Sequence, residues 1–143
     1  MQIPHDSFVL VADGRKSLFF RNQGDAEFPN LAVEEKEVDV NPAHHEQASD
    51  LAGRASNTLG SSMEEVDFHL LEEQRFAAAT AAMLKARALN NDYEALVIVA
   101  PPATLGELRK HYHKEVEKRL LAEVPKDLVN VPVAEIEEIL KAQ

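Results

Sequence analysis

Two uninterrupted apolar runs constrain the fold of this 143-residue chain more than any other feature. Phe8–Ala12 and Ala95–Ala100 contain only apolar side chains, and both are rich in strand formers. Both runs are too short for buried helices, so each predicts a strand that is buried on both faces of a sheet. No apolar run approaches the roughly 20 residues that a membrane span needs, and we therefore expect no membrane partner.

The residues around the first run predict an antiparallel meander. Asp13-Gly14 follows Phe8–Ala12 and predicts a two-residue hairpin, because these residue types tolerate positive φ. Lys16–Arg21 is then the return strand. Leu31–Val40 is a third strand, and its many charged residues are typical of a sheet edge. The next stretch, at about 41–66, has no sustained period and predicts a long irregular loop.

The second half of the chain alternates between helical and strand patterns. Thr104 and Glu107 have the spacing of a capping box, which marks a helix start. The predicted elements are a helix from Asp67 to about Leu89, a strand at Glu94–Ala100, a helix from Thr104 to about Ala122, a strand at Leu128–Val131 and a last helix starting at Pro132.

The resulting order is β-β-β-α-β-α-β-α. Two crossover helices require the fourth and fifth strands to run parallel to their neighbours, and the doubly apolar first strand belongs in the middle of the sheet. This is the order of the ribonuclease H-like α/β fold, with a mixed five-stranded sheet in the order 3-2-1-4-5 and helices on both faces. The length fits a single domain over residues 1–143.

Charge and cysteine content exclude several classes of function. The chain has a net charge of −10, and residues 30–75 alone carry 3 basic and 11 acidic side chains, net −8. Such acidity opposes non-specific adhesion to nucleic acids, although the nearly neutral remainder leaves RNA open as a partner. The absence of Cys excludes disulfides, thiolate nucleophiles and Cys-zinc sites. Together with the lack of a signal-peptide pattern at Met1–Pro4, it favours a cytoplasmic protein.

No complete catalytic motif is present. A two-metal nuclease needs several converging carboxylates, and Asp13, Glu72 and Glu73 are candidates, but two prolines follow the fourth strand where another acid is needed. Asp13 beside a glycine is more typical of a turn. His111 and His113 are two residues apart on a predicted helix, so their side chains point about 200° apart and do not chelate one ion. We therefore predict no metal and no cofactor.

Five segments carry a resemblance to a known family, and they cover essentially the whole chain. In this order and spacing they resemble the bacterial host attachment protein family, which is similar to the middle domain of archaeal and eukaryotic peptide-chain release factors. The segments are Asp50-Leu51-Ala52-Gly53-Arg54, Glu73-Gln74-Arg75-Phe76-Ala77, Leu96–Pro102, Leu105-Gly106-Glu107-Leu108-Arg109 and Lys126-Asp127-Leu128.

The release factor domains place a Gly-Gly-Gln loop just before a long helix that contains Arg-Phe-Ala. Arg75-Phe76-Ala77 matches that helix, but the loop that precedes it here contains no Gly-Gly-Gln. Peptide release depends on that Gln, so the resemblance implies the fold and a link to translation, and no catalytic residue is carried over.

The leading hypothesis is a non-enzymatic cytoplasmic binding protein of the host attachment family, with the ribosome, RNA or another protein as its partner. The loop at 41–66 and the start of the next helix would form the contact surface. The candidate binding residues are Asp50, Gly53, Arg54, Arg75 and Arg109, the last in the helix after the fourth strand. Two alternatives stay open: a metal-dependent nuclease or other hydrolase, and a factor that acts directly in attachment to host cells.

Overall fold

The structure, a computed structural model, describes residues 1–38 and 61–143. No helix among these residues is long and apolar enough to cross a membrane. The elements in chain order are β1 (Phe8–Ala12), β2 (Lys16–Asn22), β3 (Leu31–Val38), α1 (Ser61–Leu89), β4 (Leu96–Val99), α2 (Pro102–Arg109), α3 (Lys114–Arg119), β5 (Leu120–Val124) and α4 (Val133–Lys141).

The five strands form one mixed sheet in the order β3-β2-β1-β4-β5. The β1–β2 and β2–β3 pairs are antiparallel, whereas the β1–β4 and β4–β5 pairs are parallel. Every residue of β1 and β4 is buried, because these two strands lie near the centre of the sheet and are covered on both faces. The predicted α/β class, strand order and central position of the two apolar runs are confirmed.

Helices cover both faces of the sheet, as predicted. Leu84 of α1, Leu108 of α2 and Val116 of α3 belong to one buried cluster, on what we call the three-helix face. Ile136 and Leu140 of α4 belong to the cluster on the opposite side, the α4 face. Alternate residues of the central strands point into these two clusters, which explains why both strands are apolar throughout.

The predicted helix from Thr104 to about Ala122 and the predicted strand at Leu128–Val131 are wrong. The chain forms α2 and α3 instead and then enters the sheet as β5, beside β4. Helical periodicity had placed Leu105 and Val116 on one apolar face, and both do pack on the three-helix face. Periodicity reports which residues face the core, and it does not detect the break at residues 110–113.

Leu128 and Val129, from the strand predicted at Leu128–Val131, are buried in the cluster on the α4 face. They lie in the connection between β5 and α4, outside the sheet. An apolar segment of this length therefore fills the core without pairing as a strand.

The predicted starts of two helices also need correction. The helix predicted from Asp67 begins at Ser61, so residues 61–66 of the predicted loop are helical, whereas its residues 41–60 lie outside the described residues. The residue before α2 is Pro101, with no side-chain cap, and Thr104 lies inside the helix, so the capping box is wrong. Pro102 at the first helical position fixes φ near the helical value and starts the helix two residues earlier.

The predicted hairpin between β1 and β2 is confirmed, but its two central residues are Gly14 and Arg15 instead of Asp13 and Gly14, and its backbone conformation differs from the predicted one. The Asp13 N–H donates to the Lys16 carbonyl at 2.9 Å, which closes the turn between β1 and β2. No glycine of the described residues has positive φ. Asp13 Oδ1 instead accepts from the backbone N–H groups of Arg15 and Lys16, both at 2.7 Å. An Asp side chain that bonds to the backbone in this way stabilises the turn without positive φ.

Candidate functional site

The edge of the sheet where β1 and β4 end forms a small cleft. Because these two strands are parallel neighbours, their carboxyl ends meet there, and such an edge is where open α/β sheets most often bind ligands. The cleft lies between α1, the β1–β2 turn and the start of α2, and it has a volume of about 90 Å³. We call it the carboxyl-edge cleft, and the residues that line it are Gly14, Leu70, Glu73, Ala77, Ala103, Thr104 and Glu107.

Small residues bring the walls of the cleft together. A Cβ atom on Gly14 would lie 3.0 Å from both Cγ and Cδ of Glu73, so the absence of a side chain at Gly14 lets this carboxylate lie against the turn. Ala77, one turn further along α1, is only 4% exposed. The resulting close approach places Glu73, an exposed side chain, on one wall of the cleft.

The second wall is the first part of α2. The first N–H groups of a helix have no acceptor within the helix, and α2 has no side-chain cap to satisfy them. Glu107 also lines this wall, and its carboxylate pairs with Lys110 at 2.9 Å. The polar residues that line the cleft are thus one threonine and two glutamates. Among residues 1–38 and 61–143, no group of three His, Cys, Asp or Glu side chains could hold a metal ion.

Arg75 lies on the same stretch of α1 as two cleft residues but points away from the cleft. Its Nη1 donates to Oε1 of Glu72 at 3.1 Å, one turn earlier on the helix. Because the side chain is 58% exposed, a large part of the guanidinium is accessible to a partner. The segment Glu73–Ala77 thus combines the lining of the cleft with an exposed cation beside it.

Arg109 is the last residue of α2, so the length of the helix separates it from the end of β4. Its guanidinium pairs with Glu123 on β5, with Nη2 at 3.2 Å from Oε1. The Tyr112 hydroxyl donates to the same carboxylate at 3.0 Å, and burial is the main cause that raises the pKa of Tyr112 well above its usual range. Arg109 is therefore not part of the cleft lining and anchors the segment between α2 and α3 to β5.

The structure describes only some of the other candidate residues. Asp50, Gly53 and Arg54 lie outside the described residues. The Asp13 carboxylate is engaged by the backbone of its own turn, which is the role that its neighbouring glycine favoured. Glu72 accepts from Arg75. Of the three carboxylates considered for a nuclease, Glu73 alone lines the carboxyl-edge cleft.

A larger cavity, which the sequence analysis did not predict, lies at the opposite edge of the sheet. It has a volume of about 520 Å³, and the segments Pro4–Ser7 and Asn91–Ala95 and the side chain of Arg21 line it. The Arg21 guanidinium makes four hydrogen bonds: it donates to the carbonyls of Asp6 and Asp92 and twice to the Glu34 carboxylate. The two segments are far apart in sequence, and no spacing motif joins them.

The strand order and the helices on both faces of the sheet define an α/β domain with a small cleft at the carboxyl edge of its central strands. The model of bacterial archaeo-eukaryotic release factor family 12 matches residues 6–140, and the chain belongs to this family. The predicted similarity to the middle domain of release factors is thereby confirmed. No curated protein matches the chain.

Proposed function

We propose that this chain is a binding protein of the translation machinery, with the ribosome, an RNA or a ribosome-associated protein as its partner. The observation that carries the proposal is the family match over residues 6–140, which includes the Arg75-Phe76-Ala77 helix of the release factor domains. In this chain that helix borders the carboxyl-edge cleft. The loop before it has no Gly-Gly-Gln, which favours binding over peptide release.

The proposed contact surface is the exposed side of α1 around Arg75, the carboxyl-edge cleft and the loop residues Asp50, Gly53 and Arg54. Arg75 supplies an accessible cation, whereas Glu73 and Glu107 give the cleft itself negative charge. A phosphate group would therefore be bound at Arg75 and repelled from the cleft. The domain is expected to act in the cytoplasm, where ribosomes are found, as one unit over residues 1–143.

Sedimentation with ribosomes tests this proposal. Purified protein is mixed with ribosomes at low salt, and the ribosome-bound fraction is compared with that of Arg75→Glu and of a matched control, Lys85→Glu. Both side chains are on α1, and Lys85 is also exposed. We expect Arg75→Glu to lower the bound fraction several-fold and Lys85→Glu to leave it unchanged. Wild-type protein that stays out of the ribosomal fractions at low salt would contradict the proposal.

A hydrolase or metal-dependent nuclease is a second candidate, because Glu73 and Glu107 line one cleft with the hydroxyl-bearing Thr104. Carboxylates at this edge are the groups that a phosphoryl-transfer site on this strand order would use. RNA, DNA and simple esters incubated with the protein plus Mg²⁺ or Mn²⁺ provide the test. Cleavage that is lost in Glu73→Gln, while Asp13→Asn keeps it, would place the chemistry in the cleft and overturn the binding proposal.

A direct role in attachment to host cells is the third candidate, and it rests on the resemblance to the host attachment family alone. Fractionation of cells that carry a tagged chain distinguishes a direct role in attachment from an indirect one. Tagged protein on the outside of intact cells favours a direct role. Protein found only in the cytosol makes any effect on attachment indirect.

A further inference from the structure

The α4 face of the sheet is only partly covered. Its helix reaches the start of β3, where the Leu31 N–H donates to the Glu137 carboxylate, but further along β2 and β3 four neighbouring side chains are exposed or half-buried. Leu18 and Lys36 are opposite each other on β2 and β3, and Val33 is opposite the buried Phe20. Lys16 lies two residues before Leu18 on the same face of β2. We call Lys16, Leu18, Val33 and Lys36 the β2–β3 patch.

The patch is partly apolar. Leu18 is half-buried and packs against the cluster on the α4 face, whereas Val33 is 56% exposed. Both aliphatic side chains therefore offer surface that a partner could remove from water.

An irregularity in β3 determines the charge of this patch. The pairing register of β2 and β3 shifts between Phe19 and Phe20, so Glu34 and Glu35 are consecutive and yet both point to the three-helix face, where both bind Arg87. A bulge re-aims side chains in this way. As a result, the side chains of Glu34 and Glu35 lie on the three-helix face, whereas that of Lys36 lies on the α4 face.

Both lysines of the patch lack a charged partner within the part of the chain that the structure describes. Neither the Lys16 nor the Lys36 ammonium has a hydrogen bond or ion pair with any of the residues 1–38 and 61–143. A protein with a net charge of −10 thus has a surface here that is locally basic and partly apolar.

Several segments pack on the α4 face over the central strands. Besides α4, the N-terminal residue Ile3 and the connection residues Leu128 and Val129 belong to its cluster. The β2–β3 patch lies at the edge of this covered area, with Val33 and Lys36 exposed on the outermost strand. A helix with its side chains is about 10 Å wide, about twice the spacing of two strands, so one helix can contact both β2 and β3.

We propose that the β2–β3 patch binds an amphipathic, acidic helix of a partner protein beside α4. Apolar residues of that helix pack on Leu18 and Val33, and its carboxylates pair with Lys16 and Lys36. A nucleic acid fits less well, because the patch contains no aromatic side chain on which a base could stack. The proposal goes beyond the translation-related contact, since the carboxyl-edge cleft lies between helices of the three-helix face.

The test uses a fluorescein-labelled peptide of about 18 residues, long enough to be partly helical alone, with Leu along one stripe and Glu elsewhere. A second peptide has Lys in place of every Glu. Fluorescence anisotropy measures the Kd for the full chain. We expect saturable binding of the acidic peptide and at least about tenfold weaker binding by Lys16→Glu/Lys36→Glu, since two pairs become two repulsions.

Two further variants make the test specific. Lys85→Glu/Lys114→Glu changes the net charge equally but alters exposed lysines of α1 and α3, and we expect its Kd to stay within about twofold of wild type. Val33→Ser removes apolar surface without changing charge, and we expect binding several-fold weaker. Circular dichroism checks that each variant is folded.

The proposal would be overturned if the acidic peptide showed no saturable binding, if the lysine peptide bound equally well, or if Lys16→Glu/Lys36→Glu left the Kd unchanged. A single-stranded RNA that binds the chain more tightly than the acidic peptide, and loses binding in the same double variant, would assign the patch to nucleic acid instead. Ribosome sedimentation of Lys16→Glu/Lys36→Glu is expected to match wild type, so this proposal and the proposed function fail separately.

Discussion

Replacing Arg87 by Ala tests how the acidic edge strand is held to the rest of the molecule. Arg87, in the last turn of α1, donates to Oε2 of Glu34 at 3.1 Å and to Oε2 of Glu35 at 2.9 Å. Its guanidinium carbon also lies 5.0 Å from the centre of the Phe8 ring. The side chain is 23% exposed, so these contacts are partly shielded from solvent.

The contacts of Arg87 give the expected magnitude. Two partly shielded ion pairs contribute about 0.5–1 kcal/mol each, and a cation over an aromatic ring contributes about 0.5–1 kcal/mol. Glu34 keeps Arg21 as a partner in the variant, whereas Glu35 loses the ion pair that it makes here. We therefore expect Arg87→Ala to lower the free energy of unfolding by about 2 kcal/mol, which corresponds to a fall in Tm of about 4–8 °C for a chain of this size.

Arg75→Ala is the matched control. It removes the same side chain from the same helix, but Arg75 is 58% exposed and pairs within the helix, so we expect a loss of at most about 0.5 kcal/mol. Urea unfolding followed by circular dichroism measures both variants. If Arg87→Ala lies within about 0.5 kcal/mol of Arg75→Ala, the reasoning that the arginine network anchors β3 is refuted.

The pH dependence gives a second readout of the same network. The hydrogen bond from Arg21, assisted by the charges of Arg21 and Arg87, holds the pKa of Glu34 below its ordinary value. A carboxylate with a lowered pKa stabilises the fold above its unfolded pKa of about 4.3 and loses that contribution as the pH falls. The stability difference between wild type and Arg87→Ala is therefore expected to shrink below about pH 4, and a difference that grows there would contradict this assignment.

Three further predictions concern other parts of the chain. Gly24→Ala is expected to lower the free energy of unfolding by more than about 2 kcal/mol, because the added Cβ would overlap the backbone of the same loop. Gly106→Ala has open space around the added Cβ and is expected to stabilise α2 by about 0.5–1 kcal/mol, and urea unfolding compares the two variants. Ser7→Ala is expected to raise the free energy of unfolding by about 1 kcal/mol, because the buried Ser7 hydroxyl has no hydrogen-bond partner among the described residues. A thermal melt measures the change, and a Tm below that of wild type would contradict this prediction. Burial raises the pKa of Tyr93 to about 12 and also raises that of Tyr112, so the contribution of the two neutral phenols to stability is present below about pH 10 and is lost as the pH rises above it. An absorbance titration should show no ionisation of either tyrosine in the folded protein near pH 10. Ionisation of either tyrosine at its ordinary pKa would contradict the burial.

The apolar runs and the crossover rule were sufficient to predict the strand order of the sheet, but not which residues form its fifth strand. A run such as Phe8–Ala12 has no polar position to face solvent, so its burial on both faces, and hence its central place, follows from composition alone. The fifth strand could not be found in this way. Leu120–Val124 has partly exposed residues and continues the apolar period of the preceding helices, so local pattern gives no sign that the chain changes from helix to strand there.

The candidate site was less predictable than the fold, because its lining comes from three separate segments. Gly14 and Glu73 are brought together by the turn after β1 and by a small residue on α1, and no sequence spacing encodes that approach. Thr104 was interpreted as a cap because its distance from Glu107 matches a common motif. Pro102 starts the helix earlier and moves both side chains from a capping role into the wall of the cleft.

The charge pattern of the chain also has a different meaning in three dimensions. The net −8 of residues 30–75 predicts a repellent acidic edge. In the folded protein, Glu34 and Glu35 pair with Arg21 and Arg87, which lie outside that segment in sequence, so part of the acidity is neutralised on the three-helix face. The same bulge leaves Lys36 on the α4 face, where no acidic side chain of residues 1–38 and 67–143 pairs with it. A segment that is acidic in sequence therefore has a basic side in the structure, and an anionic partner would meet the sheet there.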